Sequence, residues 1–277
     1  SSRGCGTPLD FSNKNAYESV IFTSGSIGFP RGVCLRRENF NASAVAWGKE
    51  IKFTSDDRYA ICLSLDHIAG LSIIMRSQIK GFQSILMNKF NASKINFEID
   101  NGATLISLIP SMLKRLLDDR LGRSFPDGFK GIIIGGDGCS RRLIQRAVNN
   151  NIPIYKSYGM TETSSGISGF WVHQHPDMID SVGKSFKKTR IKISNNRVMI
   201  NGPTVTPYGY DGNNNNNTIL TTDTGILKNR FLFITGRCDD IVISGGENIS
   251  LSNIKNILIL YQIVLVCEMN YIQARQH

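Results

Sequence analysis

Paired cysteines, long apolar runs and clustered basic residues are all missing from this chain of 277 residues. The six cysteines, Cys5, Cys34, Cys62, Cys139, Cys238 and Cys267, include no C-x-x-C pair, which argues against both a zinc site and a disulfide framework. A reducing compartment is therefore expected. The longest apolar run, "NILILYQIVLVC" from Asn256 to Cys267, is broken by Gln262 and falls short of the roughly 20 residues that a membrane-spanning helix needs. The opening residues, "SSRGCGTPLDF", place no apolar segment behind a basic one, so no signal peptide is read there. A soluble protein of the cytoplasm or a plastid stroma is the expectation. Basic residues outnumber acidic ones to give a formal net charge of +10, yet they come as pairs such as Arg36-Arg37, Arg141-Arg142 and Lys187-Lys188. Without a long basic run and interleaved aromatics, the surplus suits small anionic ligands better than a nucleic acid.

What is present is enough to fold. At 41% hydrophobic, the chain can bury one large core or two modest ones. In "GFKGIIIGGDGCSRRLIQRAVNNNIPIYKSYGMTET", Ile132 to Ile134 read as a buried strand running into a glycine loop. Ser140 then offers a helix cap, and Leu143, Ile144, Ala147 and Val148 recur at helical spacing until "NNN" stops the pattern. Ile152 to Tyr155 form the next strand. Strand, helix, strand is a parallel βαβ unit, and ligands of such sheets bind beyond the carboxyl ends of the strands. "GGDG" and "YGMTE" are thus expected side by side. "SVIFTSG" is read by the same logic as a strand entering a glycine loop, and "ATLISLIP" with "SMLKRLLDD" as another strand and helix. After about Val172 the pieces "RIKIS", "RVMING", "TILTTD" and "FLFITG" predict a smaller, mainly antiparallel sheet appended to the α/β core. "DGNNNNN", ending at Asn217, reads as a polar loop. Beyond "GRCDD", a helix over Ile254 to Ile259 and a strand over Ile263 to Cys267 are expected.

"TSGSIGFPRG", Thr23 to Gly32, matches neither the GxxxxGKS/T phosphate loop nor GxGxxG. Its glycines let backbone N–H groups converge on an anion, its hydroxyls add donors, and Arg31 adds charge; an ordinary turn remains the alternative. In "YGMTET", Glu162 offers a carboxylate for a divalent cation and Thr161 a hydroxyl for a phosphate oxygen. In "TTDTG" and "TGRCDD", Asp223 can accept from both hydroxyls of a ribose and Arg237 can donate to a sugar or phosphate, unless Arg237 simply pairs with Asp239.

Taken in order, "TSGSIGFPRG", "GGDG", "YGMTET", "TTDTG", "GRCDD" and "SGGENIS" resemble the core motifs of the adenylate-forming superfamily of acyl-CoA synthetases, luciferases and peptide-synthetase adenylation domains. Within it, "LDHIAGLSIIMRSQIKGF", "NKFNA" and "SGGENIS" are most similar to the branch acting on o-succinylbenzoate in menaquinone and phylloquinone biosynthesis. The resemblance implies an α/β large domain over residues 1–238 and part of a C-terminal lid over 239–277. It also implies formation of an acyl-adenylate from a carboxylic acid and MgATP, then transfer to CoA. By motif, Thr23, Ser24, Gly25, Ser26, Gly28 and Arg31 would hold the β- and γ-phosphates, and Gly135, Gly136 and Tyr158 would contact adenine. Thr161 would meet the α-phosphate, Glu162 the Mg²⁺, and Asp223 and Arg237 the ribose. Asp239 would be a hinge, and Gly245, Gly246, Glu247 and Asn248 would line a CoA channel. His67 is expected at the acyl pocket. Arg76 is expected to bind a second carboxylate of a succinyl-type acid, the alternative being a surface or phosphate-facing arginine. Assembly as a homo-oligomer stays open.

The chain departs from the family pattern in having Ile27 and Arg31 where threonine and lysine are usual. Most of the N-terminal subdomain and the lid lysine are also unmatched. A nucleotide- or acyl-binding relative without efficient turnover, or a ligase for another aryl or fatty acid, is therefore the alternative expectation.

Overall fold

The sequence alternates short β-branched runs with amphipathic stretches, and the computed structural model, described over residues 18–23, 31–206, 217–239, 241–244 and 247–250, turns that alternation into a doubly covered sheet. A hairpin of β1 (Ser19–Thr23) and β2 (Arg31–Leu35) leads into α1 (Arg37–Ile51). Then come β3 (Arg58–Ile61), α2 (Ile68–Lys80), β4 (Gln83–Leu86), α3 (Ala92–Asp100), β5 (Leu105–Leu108), α4 (Pro110–Arg120), β6 (Gly131–Ile134), α5 (Arg141–Asn149) and β7 (Ile154–Met160). Antiparallel strands follow: β8 (Ser165–Trp171), β9 (Lys184–Ser185), β10 (Arg190–Ser194), β11 (Arg197–Asn201), β12 (Thr218–Lys228) and β13 (Phe231–Arg237). The last described pair is β14 (Ile241–Ser244) and β15 (Glu247–Ser250), antiparallel to each other.

One 11-stranded sheet runs β10-β11-β12-β13-β9-β8-β7-β6-β5-β3-β4. It is parallel from β4 through β7 and antiparallel from the β7–β8 pairing onward. Alternation along each parallel strand sends side chains to opposite faces. Ile132, Ile134, Ile106 and Leu108 meet Leu113, Leu116 and Ile144 on the face covered by α3, α4 and α5. Ile133, Leu105, Tyr59 and Ile61 meet Trp47, Ile51 and Ile73 on the face covered by α1 and α2. Burial on both faces explains why these strands read as continuous apolar runs. Ser140 caps α5 as expected, accepting from the Leu143 N–H.

Two expectations need correction. β1 is a strand, but it pairs only with β2, antiparallel, in a sheet of its own, with Thr23 opposite Arg31. It is therefore the first arm of a hairpin and not a member of the parallel sheet. The antiparallel pieces after Val172 are strands too, yet they continue the main sheet through β8 and β9 and do not form a separate one. Residues 254–259 and 263–267, Cys5, Cys267 and most of "DGNNNNN" lie outside the described residues. Cys34, Cys62, Cys139 and Cys238 are free thiols. Among the described residues no helix is long and apolar enough to cross a membrane.

The parallel half is tied at its lower edge by Asp57, which is 1% exposed and accepts from the Thr54 N–H at 2.8 Å, the Thr104 hydroxyl at 2.9 Å and the Lys130 ammonium at 2.7 Å. Burial alone would raise this carboxyl, but those three donors hold it below the ordinary aspartate range. Because the folded state depresses this group, its contribution is present above the unfolded value near 3.8 and fades as pH falls through the lower folded value. Asp57→Ala should lower stability by about 3 kcal/mol at pH 7, and the deficit should shrink in melts taken toward pH 3. A deficit independent of pH would assign the loss to packing.

Candidate nucleotide site

β7 is the strand at which the sheet changes from parallel to antiparallel, and its carboxyl end carries "YGM" into a single turn of 3-10 helix, Thr161–Thr163. That turn is tight. A Cβ on Gly159 would lie 2.0 Å from the Ser165 carbonyl oxygen, so no larger residue fits. Ser164 and Ser165 both hold positive φ, at 54° and 92°, and the Thr163 hydroxyl accepts the Met160 N–H at 3.0 Å while facing the Ser165 carbonyl at 2.8 Å. The result presents Glu162 at the end of the sheet with only 5% exposure.

Three further groups converge there. Asp223 and Arg237 are cross-strand partners of β12 and β13. The Tyr158 hydroxyl donates to Asp223 Oδ2 at 2.5 Å, and an Arg237 Nη1 stands 3.8 Å from Asp223 Oδ1. Arg237 also grips Asp239 in a bidentate pair at 2.8 and 2.7 Å, holding that carboxyl below its usual range. Burial raises the Tyr158 phenol, and the negative Asp223 beside it raises it further. Burial likewise raises Glu162; its own backbone N–H and the distant Arg237 act the other way, and Asp223 adds to the rise. Among the described residues Glu162 makes no ion pair, and no group of three or more His, Cys, Asp or Glu side chains is placed to hold a metal. A lone buried carboxylate without a cation fits a divalent ion whose other ligands are phosphate oxygens and water.

The "GGDG" loop leaves β6 beside this point. A Cβ on Gly135 would sit 2.8 Å from Ser157 Oγ of β7, and Gly136 has φ of 82°, which places the two glycine loops next to each other as the βαβ reading expects. Thr23 and Arg31 face each other at the base of the β1–β2 hairpin, the Thr23 hydroxyl donating to the Arg31 carbonyl at 3.4 Å. Ser24, Gly25, Ser26 and Gly28 lie outside the described residues, as do Gly245 and Gly246. Glu247 and Asn248 belong to β15, opposite Ser244 and Ile243 of β14.

α2 carries the remaining two. His67 is its exposed N-cap residue, without a side-chain cap bond. Arg76, far from being a surface arginine, is 3% exposed. Its guanidinium lies 4.6 Å over the Trp47 ring and donates to the Ser72 hydroxyl at 3.3 Å, while Nε has no partner. Burial lowers its pKa to about 10. Among the described residues no carboxylate pairs with it, so a buried guanidinium is left with an unused donor.

Thr206 was not singled out by the sequence. Its N–H donates to the Glu162 carbonyl at 2.8 Å and its hydroxyl to the Cys34 carbonyl of β2, so it joins the glutamate turn to the hairpin. Contacts 172 positions apart leave no local signature.

Comparison with known proteins fits this geometry. Residues 11–205 match the family of AMP-binding enzymes. The 2-succinylbenzoate–CoA ligase of Oceanobacillus iheyensis is 32% identical over 87% of this chain and 54% of its own length, and that of Bacillus anthracis is 32% identical over 92% and 56%. Among solved structures, o-succinylbenzoate CoA synthetase from Bacillus subtilis in complex with ATP and magnesium superposes with TM-score 0.82 at 30% identity, covering 90% of this chain and 56% of that one. The same enzyme with the acyl-adenylate intermediate OSB-AMP gives TM-score 0.79 at 31% identity, covering 86% and 52%. The chain spans about half the length of the curated relatives it matches. By the match along its length, by the mixed sheet and by the residues gathered at the end of β7, the chain belongs to the AMP-binding enzyme family.

Proposed function

We propose that this chain forms the nucleotide-binding core of an AMP-forming acid:CoA ligase whose acid is o-succinylbenzoate or a close dicarboxylate. The observation that carries the reading is the buried, unpaired Glu162 carboxylate standing beside the Tyr158–Asp223–Arg237 group at the sheet's switch point. In the first half-reaction an acid oxygen attacks the α-phosphorus of ATP, forming the acyl-phosphate bond and expelling pyrophosphate. In the second, the CoA sulfur attacks the acyl carbon and AMP leaves.

Within this reading each residue takes one role. Asp223, already accepting one hydrogen bond, turns its other oxygen to the ribose with Arg237 alongside. Gly135 and Gly136 offer a surface without side chains beside Tyr158 for the adenine. Thr161, next to Glu162, reaches the α-phosphate, while Thr23, Ser24, Gly25, Ser26, Gly28 and Arg31 serve the β- and γ-phosphates. Glu162 would hold Mg²⁺, which when bound neutralises phosphate charge as pyrophosphate departs. His67 serves the acyl pocket, where Arg76 takes the acid's second carboxylate. Within the same reading Asp239 is the hinge between the large domain, 1–238, and the lid portion, 239–277, and residues 245–248 line the CoA path.

ATP–pyrophosphate exchange tests this directly. Exchange should depend on o-succinylbenzoate and not on fatty acids. In Arg76→Ala the KM for the dicarboxylate should rise tenfold or more, a loss of about 1.5 kcal/mol, while the KM for ATP holds. ATP binding without exchange for any acid would reduce the reading to nucleotide binding, and an unchanged dicarboxylate KM in Arg76→Ala would remove Arg76 from the pocket.

A further inference from the structure

We infer that Ser43 of α1 is a positioning residue for Glu162, its hydroxyl holding in place the strained turn that presents the carboxylate to a divalent cation. The inference rests on the proposed metal role of Glu162.

α1 begins directly after β2, on the exit side of the phosphate hairpin. Asn39, Ser43 and Trp47 recur every fourth residue and so share one face of the helix, and all three are buried. Each makes a distinct contact with the site's support. The Asn39 amide donates to the Pro203 carbonyl at 3.0 Å and the Val205 carbonyl at 3.2 Å, just before Thr206. The Ser43 hydroxyl donates to the Ser164 carbonyl at 2.9 Å. The Trp47 ring lies where a Cβ on Gly166 would come within 2.4 Å.

Ser43 is the member of this face that bears on Glu162 most directly. A serine inside a helix ordinarily turns its hydroxyl back to the preceding turn of its own helix. Here it reaches a residue 121 positions away instead. Its acceptor, Ser164, is fully buried, holds φ of 54° and is followed by Ser165 at 92°. Two consecutive non-glycine residues in that region persist only when their surroundings over-determine them. Three bonds from outside do so: Ser43 to the Ser164 carbonyl, the Ser164 hydroxyl to the Thr204 carbonyl at 3.0 Å, and the Thr206 N–H to the Glu162 carbonyl. Removing the first lets the peptide after Ser164 rotate, and Glu162 lies only two residues upstream.

The test is calorimetric titration of the full chain with ATP, in Mg²⁺ and in EDTA, for the wild type, Ser43→Ala, Glu162→Gln and the double variant, each checked for folding by thermal melt. Alanine suits a helix, so the single variant should melt as a folded protein. Mg²⁺ should strengthen ATP binding to the wild type. In Ser43→Ala that strengthening should fall about fivefold, the value of one hydrogen bond, with ATP affinity in EDTA unchanged. In the Glu162→Gln background the serine substitution should change nothing further, because it acts through the carboxylate. Equal losses with and without Mg²⁺, an unchanged Mg²⁺ response in Ser43→Ala, or a further loss in the double variant would each overturn the role of Ser43. A full Mg²⁺ response in Glu162→Gln would instead overturn the metal assignment on which it rests.

Discussion

Glu162→Gln is expected to weaken Mg²⁺-dependent catalysis strongly and, in the same protein, to raise the melting temperature. The two effects share one cause. Burial disfavours the ionised carboxyl, so folding raises its pKa above the ordinary value near 4.5. A raised acid stabilises the fold only where it is protonated. The cost of the charge is therefore fully present above the folded pKa and vanishes below the unfolded one. Glutamine keeps the shape without the charge. The variant should melt higher than the wild type at pH 7 to 8, with the gap closing as pH falls toward 4.5. Catalysis should fall by on the order of a hundredfold, the scale of a lost charge-stabilising group. Thermal melts from pH 4 to 8, paired with Mg²⁺ titration of pyrophosphate exchange, separate the effects. A lower melting temperature at pH 7 would mean that the carboxylate is held by the fold itself, with no vacancy for a cation. Stability given up at a functional carboxylate is a familiar trade.

Gly183→Ala should be strongly destabilising, although the residue lies outside the site. Gly183 precedes β9 with φ of 90°, a conformation in which an alanine is strained wherever it sits. A Cβ there would also lie 2.3 Å from the Gly169 carbonyl carbon and 2.4 Å from its oxygen, backbone atoms of the central strand β8 that cannot swing aside. The Gly183 carbonyl meanwhile accepts the Leu232 N–H at 2.9 Å, tying β9 to β13. Relieving the clash means prying β9 from β8, and β9 is the strand that links β8 to β13 in the antiparallel half of the sheet. A loss exceeding about 3 kcal/mol, or on the order of 10 °C in melting temperature, is expected. Calorimetry on the purified variant reads it directly, and a shift within a few degrees would show that β9 can move aside.

How far the molecule can be read from its residues depends on how local each feature is. The βαβ unit is legible because its signals are neighbours: the Ile132–Ile134 run, the Ser140 cap and the spacing of Leu143, Ile144 and Ala147. β1 is not, because "SVIFT" has the composition of an interior strand and only its pairing with β2 says otherwise. The change of texture after Val172 is genuine, reflecting strands no longer covered by helices on both faces, but strand order is set by long-range pairing that texture does not encode. At the site, Tyr158, Glu162, Asp223 and Arg237 are visible through motif and spacing. The burial of Arg76 was within reach as well, since Ile68, Ser72 and Arg76 fall at four-residue intervals on the buried face of α2. Ser43 and Thr206 were out of reach, for their partners lie 121 and 172 positions away.

Those same separations bear on when the site comes into being. Hydrogen bonds from Asn39 span 164 and 166 positions, so the clasp around Glu162 closes only once the chain through residue 206 is available. During synthesis the parallel half can assemble from near neighbours while the glutamate turn still lacks its outer restraints. Closing so wide a loop is repaid only after β11 and the 203–206 segment dock. Competence for the nucleotide would then be acquired as a late, cooperative event, and a nascent chain halted between β8 and β11 would carry a partly formed sheet with the Glu162 turn still unset.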